Sequence, residues 1–502
     1  MVSLISGRFE RGGYTILTRP ENAIFNRLNR QRGVCVWIII MTALSSFITL
    51  VVFVHASATV RGSGLLVRPH SPSEGALGNI LFAPIPIFEG WAQYSPAYPV
   101  NRYRETPQGC DITQVNILER HGARFPTSSA STRILSGVNK LKSATSFAHP
   151  SLQFLVDFTY DLGADVLVPF GALQSYTAGQ LAFTRYGHLV DGNDFPFVRA
   201  SGSERVIASA TNWTAGFSFA SQRRFNPLLS VVMSEDPTAN NTLDDSGCPL
   251  AGDSDEHVDA WVNIYATPIA DRLNSQALGM SSNLTATDVH NLISLCPFES
   301  VAKEKLSQFC GIFEPQDFAG FEWGNNLDKY YGTGYGQPVG GRVQGVGYVN
   351  ELLARLTNSP VRDNTQTNRT LTSNPATFPL NRSIYADFSH DNQMIAIYAA
   401  IGLLNERHEV LSTMQIDPKT EWDSSDVVPF ASEMVVERLA CAKAPGQGGK
   451  EEFIRILINN KLQPLSFCGG DKNGLCELSR FVESQSYARN NGEGDFEKCF
   501  QP

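Results

Sequence analysis

The sequence predicts an α/β layer architecture. Three observations carry this. Short β-prone apolar runs end in polar or turn residues. They alternate with segments whose apolar residues recur at helical spacing. A middle stretch, about 200–330, reads as mostly helical and loop-like, as a cap would. Apolar residues make up 42% of the 502-residue chain and charged residues 18%. A sizeable core is therefore available, in one large enzyme domain or a two-part domain with accessory segments.

Residues 1–33 read as a cytosolic tail and carry six Arg and two Glu. Residues 34–54, "VCVWIIIMTALSSFITLVVFV", hold no charge. A helix of that length spans roughly 30 Å, a bilayer core. Arg27, Arg30 and Arg32 precede it and only Arg61 and Arg68 follow nearby, so a signal anchor would leave everything beyond residue 54 outside the cytosol. Ala56-Ser57-Ala58 also fits a cleavage site, which would make the segment a signal peptide and the protein secreted. Residues 55–105, rich in Pro, Gly and Ser, read as a stalk leading into the first ordered loops, and 106–502 as the main domain.

Within that domain "TQVNILE" (113–119), "SVVMSEDP" (230–237) and "SIYADFS" (383–389) read as strands. "VNELLARLTNSP" reads as a helix with Leu352, Leu353 and Leu356 on one stripe and Pro360 past its end. "DNQMIAIYAAIGLL" reads as a second helix, and "EEFIRILINNKLQPL" as a short strand pair.

Charge and cysteines narrow the function. Beyond residue 33, 34 Lys and Arg face 47 Asp and Glu, an acidic body poorly suited to nucleic acid. Of nine cysteines, Cys35 lies in the apolar run. The other eight are Cys110, Cys248, Cys296, Cys310, Cys441, Cys468, Cys476 and Cys499, an even set that suits disulfides in an oxidising compartment. No C-x-x-C pair points to a zinc ribbon. Five glycosylation sequons begin at Asn212, Asn240, Asn283, Asn368 and Asn381.

Three stretches carry chemistry. "ILERHGARFPT" ends a strand in Arg120-His121-Gly122-Ala123-Arg124, where open α/β sheets gather ligands. Guanidinium forks match phosphate oxygens, and an imidazole held at one nitrogen can attack phosphorus with the other. "VRASGSERVIAS" offers Arg199 before a Ser-Gly-Ser turn and Arg205 after it; its plain alternative is a polar loop before an apolar strand. "YADFSHDNQMI" places His390 and Asp391 where a helix begins. Bound anions favour such a point. An acid there can protonate a leaving oxygen.

Together with "YSP" (94–96), "LDKYYGTGYG", "VQGVGYVNELLARLTNSPV" and "VPFASEMVVE", these stretches closely resemble the histidine acid phosphatases, in their phytase-like branch, over roughly residues 90–500. The resemblance implies a phosphoglycerate mutase-like fold: a central sheet flanked by helices with a smaller helical cap over the cleft. It implies that His121 is the nucleophile and forms a phosphohistidine, and that Arg120, Arg124, Arg199 and His390 bind the phosphoryl group. Asp391 is then the acid, with Lys329 and Asn392 in the substrate cleft. Neither metal nor cofactor is implied, and the partner is a small phosphomonoester. The implied disulfides are Cys110–Cys441, Cys248–Cys499, Cys296–Cys310 and Cys468–Cys476.

Phytate-active relatives carry basic residues where this chain has Ala130, Asp328 and Thr333. Phosphomonoester hydrolysis follows from the resemblance; high phytate selectivity does not. The two other readings are a membrane-tethered binding protein on a phosphatase fold and a phosphomutase. The intact set His121, Arg120, Arg124 and Asp391 argues against the first. Export and the His-Asp pair argue against the second.

Overall fold

The computed structural model describes residues 90–443 and 449–501, all within one compact unit, Ser71–Pro502. The expected tail, apolar run and most of the stalk lie outside the described residues. Among the described residues no helix is long and apolar enough to cross a membrane.

The frame is an eight-stranded mixed sheet. Its strands are β1 (Cys110–Arg120), β2 (Phe197–Ser201), β3 (Leu229–Met233), β4 (Ile384–Ser389), β5 (Glu433–Ala442), β6 (Lys450–Ile458), β7 (Lys461–Leu462) and β8 (Cys476–Glu477). The order is β8-β6-β5-β1-β4-β2-β3, with β7 paired to β6. β1, β4, β2 and β3 run parallel. β5 turns the sheet antiparallel against β1, and β6 against β5. β1 is therefore central, with a parallel neighbour on one side and an antiparallel one on the other. Such a strand is buried on both faces, which explains its nearly unbroken buried run from Gln114 to Arg120.

The eight longer helices are α1 (Ser128–Lys142), α2 (Pro169–Tyr186), α3 (Glu204–Ala220), α4 (Asp255–Gln276), α5 (Ala286–Lys303), α6 (Pro315–Gly332), α7 (Val346–Thr357) and α8 (Asp391–Ile401). Strand alternation sorts side chains between two layers. Val115, Ile117, Ile384 and Ala386 pack with Ala178 and Ala182 of α2 and Ala210 and Trp213 of α3. Leu118, Tyr385, Met434 and Val436 face the opposite layer, with Leu352 and Leu356 of α7 and Met394 and Ile397 of α8. A separate apolar cluster joins α1, α4, α5 and α6 through Ile134, Leu141, Ile269, Leu292 and Phe321.

Two expected boundaries change. The start of the middle stretch, from about 200, is not cap: residues 197–233 supply β2, α3 and β3 to the sheet and its flank, β3 falling on "SVVMSEDP" as its strand pattern predicts. The helical cluster also recruits α1, from well before residue 200. Residues 90–105, expected to be stalk and leading loops, pack into the domain: Trp91, Ala92 and Tyr103 are buried, and Pro96 bridges to Phe430.

Four disulfides close the chain: Cys110–Cys441, Cys248–Cys499, Cys296–Cys310 and Cys468–Cys476. The first joins residues directly opposite in β1 and β5.

Candidate active site

The site forms where β1 and β4 both end. The His121 amide donates to the Ser389 carbonyl (3.1 Å), and the Ala431 amide donates to the His121 carbonyl (3.0 Å). The loop after β1 is pressed against the start of α2. A Cβ on Gly122 would lie 2.2 Å from the Gly171 carbonyl oxygen, and one on Gly171 would lie 1.9 Å from that of Ala123. Glycine at both positions is what permits this approach. Gln174 of α2 secures it, accepting from the Ala123 amide at 2.9 Å and donating to the Phe430 carbonyl. The Gly122 amide donates to Ser209 Oγ of α3 (3.0 Å).

His121 is buried. Its Nδ1 lies 2.9 Å from the Gly122 carbonyl oxygen. A carbonyl only accepts, so Nδ1 carries the proton and Nε2 keeps its lone pair. Burial pushes the imidazole well below its ordinary pKa, and Arg120, Arg124, Arg205 and His390 push it further. The ring is thus biased toward its neutral form.

Arg120 is buried. It donates through Nη1 to the carbonyls of Gln93 and Val428, lies over the Phe430 ring at 4.7 Å, and reaches Asp391 Oδ2 through Nη2 at 3.2 Å. The carbonyls of the 92–96 loop and of Val428 therefore aim this guanidinium. Arg124 is half-buried; it donates to the Phe125 carbonyl and lies over Phe298. Burial and then Arg120 bring its pKa down to about 10, so it stays charged.

Arg199 is not in this site, which corrects the sequence expectation. It sits in β2 on the α7 face, 1% exposed, with Nε 2.7 Å from Asp387 Oδ1 and Nη2 2.7 Å from Glu351 Oε2. Arg355 joins Asp387 from α7 at 2.6 Å. Two cations and two carboxylates form a buried set in which the protein itself supplies the counter-ions of Arg199. The third site arginine is Arg205, in the first turn of α3. Its Nη2 is 3.4 Å from His390 Nδ1, and it acts electrostatically on His121, Arg120 and Arg124. The plain alternative for this stretch also fails. "VRAS" is the strand, and "ERVIAS" opens a helix behind the Ser203 N-cap.

His390 caps α8 and Asp391 is its first residue. The His121 and His390 rings are 5.7 Å apart, edge to face. His390 Nε2 lies 2.8 Å from Glu235 Oε1 and 3.8 Å from Asp244 Oδ1. These three residues are the one grouping among the described residues with spacing suited to a cation. Burial pushes Asp391 up, but Arg120 and Lys329 outweigh it and hold the carboxyl well below its usual range. Lys329 is buried; its Nζ is 3.0 Å from Asp391 Oδ2, 2.7 Å from Asn392 Oδ1 and 3.2 Å from Asp328 Oδ2. The two expected cleft residues thus bind each other, and Lys329 also binds Asp391. Asp245, beside His390 and Asn392, is pushed up by burial and by Asp244.

Two further positions bear on the substrate question. Ala130 is half-buried in the first turn of α1, and Thr333 is buried past the end of α6. Neither supplies a charge.

A neutral imidazole with one free nitrogen, set among three arginines and a second histidine, suits a phosphate monoester: a nucleophile inside a pocket for a dianion. The model of the histidine phosphatase superfamily, branch 2, matches residues 111–459. The chain belongs to that family and is a phosphoric monoester hydrolase. Phytase A of Emericella nidulans is 40% identical over 431 residues, covering 82% of this chain and 90% of that protein. Phytase A of Aspergillus fumigatus is likewise 40% identical over 430 residues, covering 82% and 90%. The crystal structure of the phytase from D. castellii superposes with a TM-score of 0.65 at 23% identity, covering 84% of this chain and 88% of that one. It shares the fold.

Proposed function

We propose that the protein hydrolyses phosphomonoesters, inositol phosphates among them, through a phosphohistidine on His121. One observation carries this: the Gly122 carbonyl holds His121 Nδ1, leaving Nε2 facing a pocket rich in positive charge. Arg120, Arg124, Arg205 and His390 bind the phosphoryl oxygens. The Nε2 lone pair forms a bond to phosphorus, and the phosphorus–oxygen bond to the leaving alcohol breaks. That oxygen takes the proton of Asp391. The Asp391 carboxylate then draws a proton from water, whose oxygen attacks phosphorus. The N–P bond breaks, its electrons return to Nε2, and inorganic phosphate leaves.

Asp391 must start this cycle protonated, yet Arg120 and Lys329 favour its anion. A bound phosphate offers Arg120 a competing anion and adds negative charge beside Asp391, and both raise its pKa. Acidic conditions assist, so the optimum lies on the acid side. The helical cluster of α1 and α4–α6 serves as the cap over the cleft.

Substrate breadth follows from the rim. Asp328 beside Lys329, and Asp244, Asp245 and Glu235 beside His390, make the surroundings of the site acidic, and Ala130 and Thr333 add no cation. A ring bearing many phosphates meets this acidic rim; a simple monoester does not. The Phytase A relatives support inositol phosphates as substrates, and the rim supports a broader acid phosphatase activity beside it.

Export fits the four disulfides. Residues 34–54 would supply a signal anchor or, cut near Ala58, a signal peptide. Of the sequons, Asn283 and Asn381 are exposed and suit glycans. Asn212 suits one least, because it lies inside α3 and its amide donates to the Ala208 carbonyl at 2.9 Å. Asn240 is also exposed, though its amide donates to the Thr367 carbonyl at 3.2 Å, and Asn368 is half-buried.

The test is phosphate release from phytate and from an aryl phosphate between pH 3 and 7, with His121→Ala alongside and acid-quenched trapping of the phosphoenzyme. A trapped phosphohistidine in the parent and loss of both activities in the variant are expected. Full activity in His121→Ala would overturn the assignment.

A further inference from the structure

One carboxylate joins the two segments that carry Arg205 and His390. Glu235 lies just past β3. Its Oε1 accepts from Ser201 Oγ at 2.6 Å, from the Ser203 amide at 2.9 Å and from His390 Nε2 at 2.8 Å; its Oε2 accepts from Ser203 Oγ. Ser201 Oγ also accepts from Asn241 Nδ2 at 3.0 Å. The turn between β2 and α3 is thereby tied to Glu235 at three donors, and Arg205 follows that turn by two residues. A carboxylate only accepts, so His390 Nε2 carries its hydrogen toward Glu235. Nδ1 is then the ring atom on the Arg205 side, 3.4 Å from Nη2.

We propose that Glu235 is a positioning residue for phosphoryl binding. It braces the Arg205 turn and the His390 ring against one carboxylate, so that Arg205 stays aimed at the phosphoryl oxygens and the His390 ring is held beside it. This rests on the reading that His121 accepts the phosphoryl group. Glu235 itself does not touch substrate. Loss of one charged hydrogen bond lowers affinity by roughly tenfold or more.

The experiment uses the full chain with Glu235→Gln and Glu235→Ala, reading KM and kcat for an aryl phosphate, competitive inhibition by inorganic phosphate, melting temperature and the trapped phosphoenzyme. The expected result is a joint rise of roughly tenfold in KM and in the phosphate inhibition constant, with a smaller change in kcat and a melting temperature near the parent's. The isosteric Gln variant carries the test if the Ala variant does not fold. Parent values of KM and of the inhibition constant in a folded variant overturn the proposal, since a merely structural role lowers only the active fraction. If a chelator makes the parent behave like Glu235→Ala and a divalent cation restores it, Glu235, Asp244 and His390 form a cation seat and the positioning role is also overturned. Absence of a phosphoenzyme in the parent would instead strike the His121 reading.

Discussion

Arg199 and Arg205 come from one short stretch, "RASGSER", and end in opposite circumstances. Arg199 is enclosed by Asp387 and Glu351 with Arg355 alongside. Arg205 has no carboxylate within ion-pair distance among the described residues and shares its space with His121, His390 and two other arginines. The difference teaches that a buried cation is defined by its counter-ions. Where the protein supplies them, the guanidinium is architecture. Where it withholds them, the site awaits an anion from outside.

Four substitutions can break or sharpen this contrast. The largest effect is expected from Arg205→Ala: kcat/KM for an aryl phosphate should fall about 10²–10³-fold, by analogy with removing one transition-state donor, with little change in melting temperature. Arg199→Met should do the reverse. It strands Glu351 in the interior and leaves Asp387 to Arg355 alone, at a cost of about 3–5 kcal/mol, read as a lower denaturation midpoint. The fraction that folds should keep the parent KM. If Arg199→Met were stable and lost phosphate affinity, the contrast would collapse.

Lys329→Met comes next. Lys329 and Arg120 depress the Asp391 carboxyl against the upward push of burial, so removing Lys329 raises its pKa. Asp391 acts protonated, and the alkaline limb of the kcat profile should therefore move to higher pH. A limb that stays in place would detach Asp391 from the acid role.

The smallest effect belongs to Glu433→Gln. Glu119 and Glu433 face each other across β1 and β5. Burial raises both, Glu119 further through Glu433, and brings Glu433 up to about 7 from an ordinary 4.5. The folded protein then holds a proton that the unfolded chain releases above pH 4.5. Stability from this group is complete below that value and is lost as pH rises through about 7. Melting curves at pH 4, 5.5 and 7.5 should show a shallower decline in the Gln variant. An unchanged slope would mean the pair is not shifted.

Much of this was legible in the sequence. β1, β4, α7 and α8 follow from apolar pattern and turn signals, and the Arg120-His121 motif sits at a strand end as its context requires. β2 was not legible, because five residues of "FVRAS" leading into Ser-Gly-Ser give no alternation to read. Arg199 was misplaced for a related reason. The chain shows its charge but not that Asp387 lies directly beside it in the sheet. A signal existed: "YADF" carries an acid in the middle of a buried strand, and a buried acid needs a cation. Glu119 was equally opaque, since its partner Glu433 is more than 300 residues away.

The central place of β1 carries a consequence for how the protein is made. Its sheet neighbours begin at Ile384 and Glu433. At roughly 5–20 residues per second, a ribosome needs on the order of tens of seconds between delivering His121 and delivering the strands that seat it. Through that interval a strand destined to be buried on both faces has both edges open. A nascent chain cut short anywhere before β4 would hold its nucleophile on a ribbon with nothing to pair against, and so be a substrate for chaperones rather than a weaker phosphatase.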